Sequence, residues 1–316
     1  MLIFIEPDPA LWTGRFDGND PLAFRFYQKI QCIPVDRIPF SPEEKQIVFL
    51  GFSSDEGVRR NKGRPGARKG PDEIRKQLAG LPYPLEEAIT LYDGGNIMVD
   101  GDLEKGQEEL GQAVKMVLTG KAFPLIFGGG HETAYGHYLG VRGFLGKEPS
   151  LGIINIDAHF DMREDWLSTS GTMFRQILEQ DSKAGYLVLG IQPLGNTKKL
   201  FSTAKRFGAK YFLEEELEEN YEEVLVQILD FTKKYDYLLL TLCFDSINSA
   251  YAPGVSAPSP FGLNPKTVRS LLRLFGKMEH LLSFDISEVN PETDENGKTS
   301  KLAAMLAAEL LMARFS

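Results

Sequence analysis

The sequence predicts an α/β fold, a single α/β/α domain over residues 1–316 with a mainly parallel sheet. Short, almost unbroken apolar runs recur along the chain, as strands buried on both faces require. Segments of helical periodicity alternate with them, the order that builds a helix-covered parallel sheet. No Pro/Ser-rich linker, composition shift or internal repeat divides the chain.

The elements follow in order. Residues 1–46 are rich in aromatics and prolines without a steady period, and are read as an extension packed on the core. The apolar run 46–52 is a strand, and 71–79 a helix with Pro71 in its first turn. Residues 90–92 make a short strand and 104–118 an amphipathic helix. A strand over 123–127 leads to a helix from about 132, and one over 151–156 to a helix near 174–179. Then come strand 186–190, helix 197–207, a brief strand at 211–212, and one long acidic helix over 214–233. The glutamates at its start suit a solvated face. Strand 237–244, helix 265–274, strand 280–286 and helix 300–314 close the chain.

Composition narrows the function. Hydrophobic residues make up 42% and charged residues 25% of 316, an ordinary globular balance able to bury a large core. The net charge of −9 argues against a nucleic-acid surface. No apolar run approaches the ~20 residues that span a membrane. The first residues lack a basic n-region and a small-residue cleavage site, so a cytoplasmic location is expected. The expected partner is a small molecule, with no nucleic acid or membrane, and a homo-oligomer is expected. Two cysteines, Cys32 and Cys243, cannot make a disulfide framework. They could pair with each other only if the extension lays Cys32 beside Cys243, in which case oxidation would oppose metal loading.

The chemistry concentrates at strand ends. In Asn155-Ile156-Asp157-Ala158-His159-Phe160-Asp161, alternate side chains let Asp157, His159 and Asp161 converge. An imidazole among carboxylates suits a divalent cation such as Mn²⁺, Zn²⁺ or Fe²⁺. His131 follows the triple glycine 128–130, and Asp245 ends the run that begins at Leu240. Three strands thus deliver metal-type side chains where open α/β sheets build their sites. His137 and His280 are read as structural. The basic segment 59–64, in a glycine-rich loop, is read as a clamp for an anionic substrate, since arginine forks match carboxylates.

These segments resemble the arginase/agmatinase/formimidoylglutamase family, the ureohydrolases. The likeness runs from about Ile47 to the C-terminus. It rests on Gly128-Gly-Gly-His-Glu, Asn155-Ile-Asp-Ala-His-Phe-Asp, Thr241-Leu-Cys-Phe-Asp and Glu288-Val-Asn-Pro, in the family's order. Residues 55–64, 131–137, 170–176 and 252–257 resemble the formimidoylglutamase branch in particular. Arginases carry a histidine in the loop after Asp-Ala-His, whereas here none occurs between His159 and His280.

The resemblance implies a three-layer, arginase-like sandwich around about eight strands. It also implies two Mn²⁺ ions whose shared hydroxide attacks a C=N carbon. His131, Asp157, His159, Asp161 and Asp245 match metal ligands; Cys243 stands where the family has an aspartate that bridges both ions. A thiolate there would shift preference toward Zn²⁺ or Fe²⁺. Glu288 matches the carboxylate that holds the substrate's cationic nitrogen, with Asp161 or Asp245 passing a proton. Arg163, Arg64 and Asn61 are expected to bind substrate, Arg175 could meet a carboxylate, and Asp285 could orient the site. The implied reaction turns N-formimino-L-glutamate and water into L-glutamate and formamide, in histidine degradation. The alternatives are a guanidino-acid hydrolase or agmatinase, or a catalytically silent, arginase-like binding or regulatory protein.

Overall fold

The structure is a computed structural model, and it describes residues 3–86 and 88–315. In chain order the strands are β1 (Ile3–Ile5), β2 (Ile30–Cys32), β3 (Lys45–Ser53), β4 (Ile89–Met98) and β5 (Phe123–Gly128). They continue with β6 (Leu151–Ile156), β7 (Ala184–Ile191), β8 (Lys210–Leu213), β9 (Tyr237–Cys243) and β10 (Leu281–Ser287). The α-helices are α1 (Phe26–Lys29), α2 (Glu56–Arg60), α3 (Gly70–Ala79), α4 (Leu103–Thr119), α5 (Thr133–Leu145) and α6 (Met173–Gln180). After them come α7 (Lys198–Arg206), α8 (Glu214–Glu219), α9 (Tyr221–Thr232), α10 (Pro265–Gly276) and α11 (Lys298–Phe315).

One sheet runs β4-β3-β5-β10-β9-β6-β7-β8, all parallel. The eight-stranded expectation describes this part. Two short strands extend it along the outer edge of β4, β2 parallel and β1 antiparallel. Because strand side chains alternate faces, neighbouring residues feed different cores. Ile47 and Phe49 join the core under α3, α9, α10 and α11, while Val48, Leu50 and Phe52 join the one under α4, α5 and α6. No helix among the described residues is long and apolar enough to cross a membrane.

Three readings change. Strand β4 runs on through Asp93-Gly-Gly-Asn96 to Met98, well past the short strand expected at 90–92. Arg75 of α3, itself buried, neutralises this segment through Asp93 (2.9 Å) and Asn96 (2.7 Å). Trp12 of the N-terminal segment donates to the same Asp93 at 2.8 Å and stacks on Phe49. The long acidic helix is two helices broken at Asn220, whose backbone leaves the helical region (φ −127°). Finally, Cys32 lies on β2 and Cys243 at the end of β9, five strand spacings apart across the sheet. At ~4.8 Å each this is roughly 24 Å, far beyond the ~7 Å a disulfide allows, so the pairing of Cys32 with Cys243 is overturned.

Candidate active site

The register of the sheet assembles the site. Asn155 on β6 is level with Thr241 on β9, and Thr241 with Asp285 on β10. One step toward the C-terminal edge, Cys243 is level with Ser287. Beyond this edge the chain leaves each strand by a constrained loop. Gly129 is needed for close approach, since a Cβ there would lie 1.7 Å from the Ser54 carbonyl oxygen. Asp161 (φ +48°) and Glu288 (φ +69°) hold left-handed backbone, a strained state common at functional sites.

All six expected ligands meet here. A ring nitrogen of His131, a carboxylate oxygen of Asp157 and Cys243 Sγ lie within 4.8 Å of one another. So do donor atoms of Asp157, His159 and Asp245, making Asp157 common to two groups. Asp161 joins the first group, its Oδ2 being 2.9 Å from His131 Nδ1. Cys243 Sγ lies 2.9 Å from Asp245 Oδ1 and links the groups again.

Hydrogen bonds fix how these donors point. Asp285 Oδ1 accepts from Thr241 Oγ1 (2.9 Å), so the Thr241 hydroxyl has its proton committed. It must then accept from His131 Nε2 at 3.0 Å. This tautomer leaves the His131 Nδ1 lone pair facing Asp157 and Asp161, where a metal would take it. Asn155 donates to Asp157 Oδ2 (2.9 Å). Asn196 grips the backbone on both sides of His159, donating to Ala158 O and accepting from Phe160 N. Asp285 also receives His137 Nδ1 at 2.7 Å, so it ties His137 and the Thr241–His131 pair together. His137 is structural, as read.

The electrostatics call for a cation. Among the described residues no arginine or lysine is within ion-pair distance of Asp157, Asp161 or Asp245; their charged partners are imidazoles. Burial opposes charge on His131 and His159, yet the carboxylates beside them push both pKa values well above the ordinary range. Burial, then Asp157, raises Asp161 to about 6. Burial and the surrounding carboxylates raise Cys243 far above a normal thiol. Borderline nitrogen and sulfur donors among hard oxygens, sharing Asp157, fit a pair of divalent transition-metal ions.

Glu288 completes the floor. Its Oε1 accepts from His131 N at 2.9 Å, while the buried Oε2 has no partner. Burial, with the charges of Asp245 and Glu132 behind it, pushes this carboxyl up to about 8. Above lies a cavity of about 320 Å³ that His131, His159, Asp161, Cys243, Asp245 and Glu288 floor. Asn61, Lys62, Arg64 and Arg163 stand on its walls.

The basic loop is only partly the expected clamp. Arg59 and Arg60 are held by Glu56, and Arg60 also by Glu104, so neither lines the cavity. Arg175 likewise pairs with Glu164 and Glu179 outside it. Sequence reasoning missed Thr241, Asn196 and Glu132. Glu132 is buried and accepts from Ser54 Oγ and Gly57 N, which anchors the start of α2 beneath the cavity wall. Thr241 left a signal, since it continues the alternation of Cys243 and Asp245 one step back.

Comparison with known proteins agrees with this geometry. The profile of the arginase family matches residues 45–313. The chain is 52% identical to the formimidoylglutamase of Geobacillus sp. (strain WCH70), over 98% of this chain and 96% of that one. It is 40% identical to the formimidoylglutamase of Staphylococcus aureus (strain MRSA252), over 98% of this chain and all of that one. Among solved structures, Trypanosoma cruzi formiminoglutamase with Mn²⁺ superposes with a TM-score of 0.78 at 27% identity, covering 86% of this chain and 94% of that one. Bacillus subtilis formimidoylglutamase shares the fold, with a TM-score of 0.82 at 21% identity, covering 95% and 94%. The chain belongs to the arginase family.

Proposed function

We propose that this chain is a formimidoylglutamase, a metal-dependent hydrolase that converts N-formimino-L-glutamate and water to L-glutamate and formamide. The observation that carries the reading is Glu288: a buried carboxylate oxygen without a donor, at the floor of a cavity beside two metal-type donor groups that share Asp157. A protonated formimino group offers the N–H donors and positive charge that this oxygen lacks.

His131, Asp157, Asp161 and Cys243 would hold one Mn²⁺, and Asp157, His159, Asp245 and Cys243 the other. Bound there, the ions would lower the pKa of a water and polarise the substrate. The protein's own residues do the rest. Glu288 binds and orients the amidinium, whose charge in turn keeps the carboxylate ionised. Asp161 or Asp245, both at the cavity floor, would pass the proton to the departing nitrogen. Water adds to the formimino carbon, the bond from that carbon to the glutamate nitrogen breaks, and this nitrogen leaves after gaining a proton.

Asn61, Arg64 and Arg163 stand where a carboxylate-bearing substrate would reach. Cations at the mouth oppose arginine and agmatine, which are themselves cationic. A reducing cytoplasm suits two free thiols, and a homo-oligomer whose protomers are single domains including residues 1–46 belongs to the same reading. The test is turnover by Mn²⁺-loaded protein: formiminoglutamate is expected to be cleaved and arginine and agmatine to be poor. Arginine turnover exceeding that of formiminoglutamate would overturn the assignment.

A further inference from the structure

The cavity mouth holds three cations, Lys62, Arg64 and Arg163, without carboxylate partners among the described residues. Arg163 and Lys62 are both exposed, and among the described residues neither has an ion-pair partner. Arg64 differs, because Ser256 O and Val255 O engage its Nε and Nη2. Arg163 and the residue before Lys62 face each other over Gly171. A Cβ on Gly171 would lie 3.3 Å from Arg163 Cδ and 3.3 Å from Asn61 Nδ2. Asn61 is itself tied to that loop through Ser170 Oγ.

Lys62 is placed by the end of α2. Its φ of +62° is the left-handed position of a Schellman helix ending, with Lys62 N bonded to Arg59 O and Gly63 N to Val58 O. On one side a Cβ on Gly63 would meet Ser256 Oγ at 2.6 Å. On the other, Asn61 caps α2, whose start Glu132 anchors from beneath the floor. The helix end thus fixes the Lys62 backbone at the cavity wall.

Resting on the reading of the reaction given above, we propose that Lys62 and Arg163 are a split clamp for two carboxylates, making Lys62 a specificity-determining residue for dicarboxylate amidines. The count matches once Arg64, whose guanidinium is tied to backbone carbonyls, is set aside: glutamate offers an α- and a γ-carboxylate, and Lys62 and Arg163 remain. The substrate, with one amidinium and two carboxylates, is a net anion approaching a protein of charge −9. Local cations at the mouth oppose that repulsion.

The test is a matrix of variants against ligands on the metal-loaded enzyme. Lys62→Met, Lys62→Arg and Arg163→Met are assayed with N-formimino-L-glutamate and with N-formimino derivatives of 4-aminobutyrate and 2-aminobutyrate. These lack the α- and the γ-carboxylate respectively. Calorimetric binding of L-glutamate, 4-aminobutyrate and 2-aminobutyrate runs in parallel. A charged hydrogen bond is worth ~1.5–3 kcal/mol, roughly ten- to hundredfold in binding. Lys62→Met should therefore lose about tenfold or more on the dicarboxylate and on one mono-acid, and nothing on the other. Arg163→Met should show the complementary pattern, and Lys62→Arg should restore binding.

Equal losses on all three ligands, or none, would overturn the clamp even if formiminoglutamate is hydrolysed well. Conversely, selective loss of L-glutamate binding by Lys62→Met in a protein that does not cleave formiminoglutamate would support the clamp and reject the assigned reaction. Unchanged thermal unfolding and metal content in the variants would separate the effect from misfolding.

Discussion

Replacing Thr241 by valine tests whether the row Asp285–Thr241–His131 sets the metal-binding tautomer. Valine keeps the branched shape and removes only the hydroxyl that accepts from His131 Nε2 and donates to Asp285. Asp285 retains Ser287 Oγ on the same oxygen and His137 on the other, so the main orphan is the His131 N–H. Leaving a buried donor unpaired costs about 1–3 kcal/mol. The imidazole can escape that cost by moving its proton to Nδ1, the nitrogen a metal needs. Loss of such a supporting partner typically weakens metal binding by roughly 10–100-fold, or about 1.4–2.8 kcal/mol. The assay is calorimetric titration of metal-free protein with Mn²⁺. Thr241→Val should lower affinity by that factor at one of two sites, and Thr241→Ser should recover it. Wild-type affinity in the valine variant, or no recovery with serine, would refute the tautomer argument.

Cys243→Asp should tighten Mn²⁺ binding, because a carboxylate gives two hard oxygens in place of one soft sulfur. An unchanged titration would put Cys243 outside the metal's coordination. Cys32→Ser should leave any need for reductant unaltered, since the thiols are about 24 Å apart; a non-reducing peptide map linking residues 32 and 243 would contradict the sheet order. The start of α11 depends on Asp294, which accepts from Thr299 N, Ser300 N and Ser300 Oγ, so Asp294→Ala should cost about 1 kcal/mol in denaturant unfolding. Burial raises the Asp294 pKa, but these donors outweigh it and the net shift is downward. Its contribution is therefore fully present above the unfolded carboxyl value of about 3.9 and lost as pH falls through the lower folded one. The stability gap between wild type and variant should close in that acid window, and a gap constant with pH would exclude the capping role.

What could be read from the chain and what could not divide along one physical line. Asp157, His159, Asp161 and Asp245 were legible because each lies just past the end of an apolar strand. Residues 157–161 leave the strand, however, and Asp161 turns left-handed (φ +48°), so it is the loop that brings them together and not the period of two. Alternation does make Ser283, Asp285 and Ser287 a polar stripe in the otherwise apolar β10, of which the sequence reading used only Asp285. What alternation cannot supply is register. That Asp285 sits level with Thr241, and Thr241 with Asn155, depends on which strands are neighbours and how far each is slid, and neither is encoded within a strand. The same limit explains β4, where the expected strand stops at residue 92 and Asp93 and Asn96 are buried because Arg75 arrives from α3. It explains Cys32 and Cys243, whose separation is a count of intervening strands. The basic loop is the instructive contrast. Glu56 stands three and four residues before Arg59 and Arg60 on one helical turn, so those ion pairs were available from spacing alone. Subtracting them leaves Lys62 and Arg64 toward the cavity. Local pairing thus removes candidates from the sequence, and only the sheet's long-range order says which of the remainder meet.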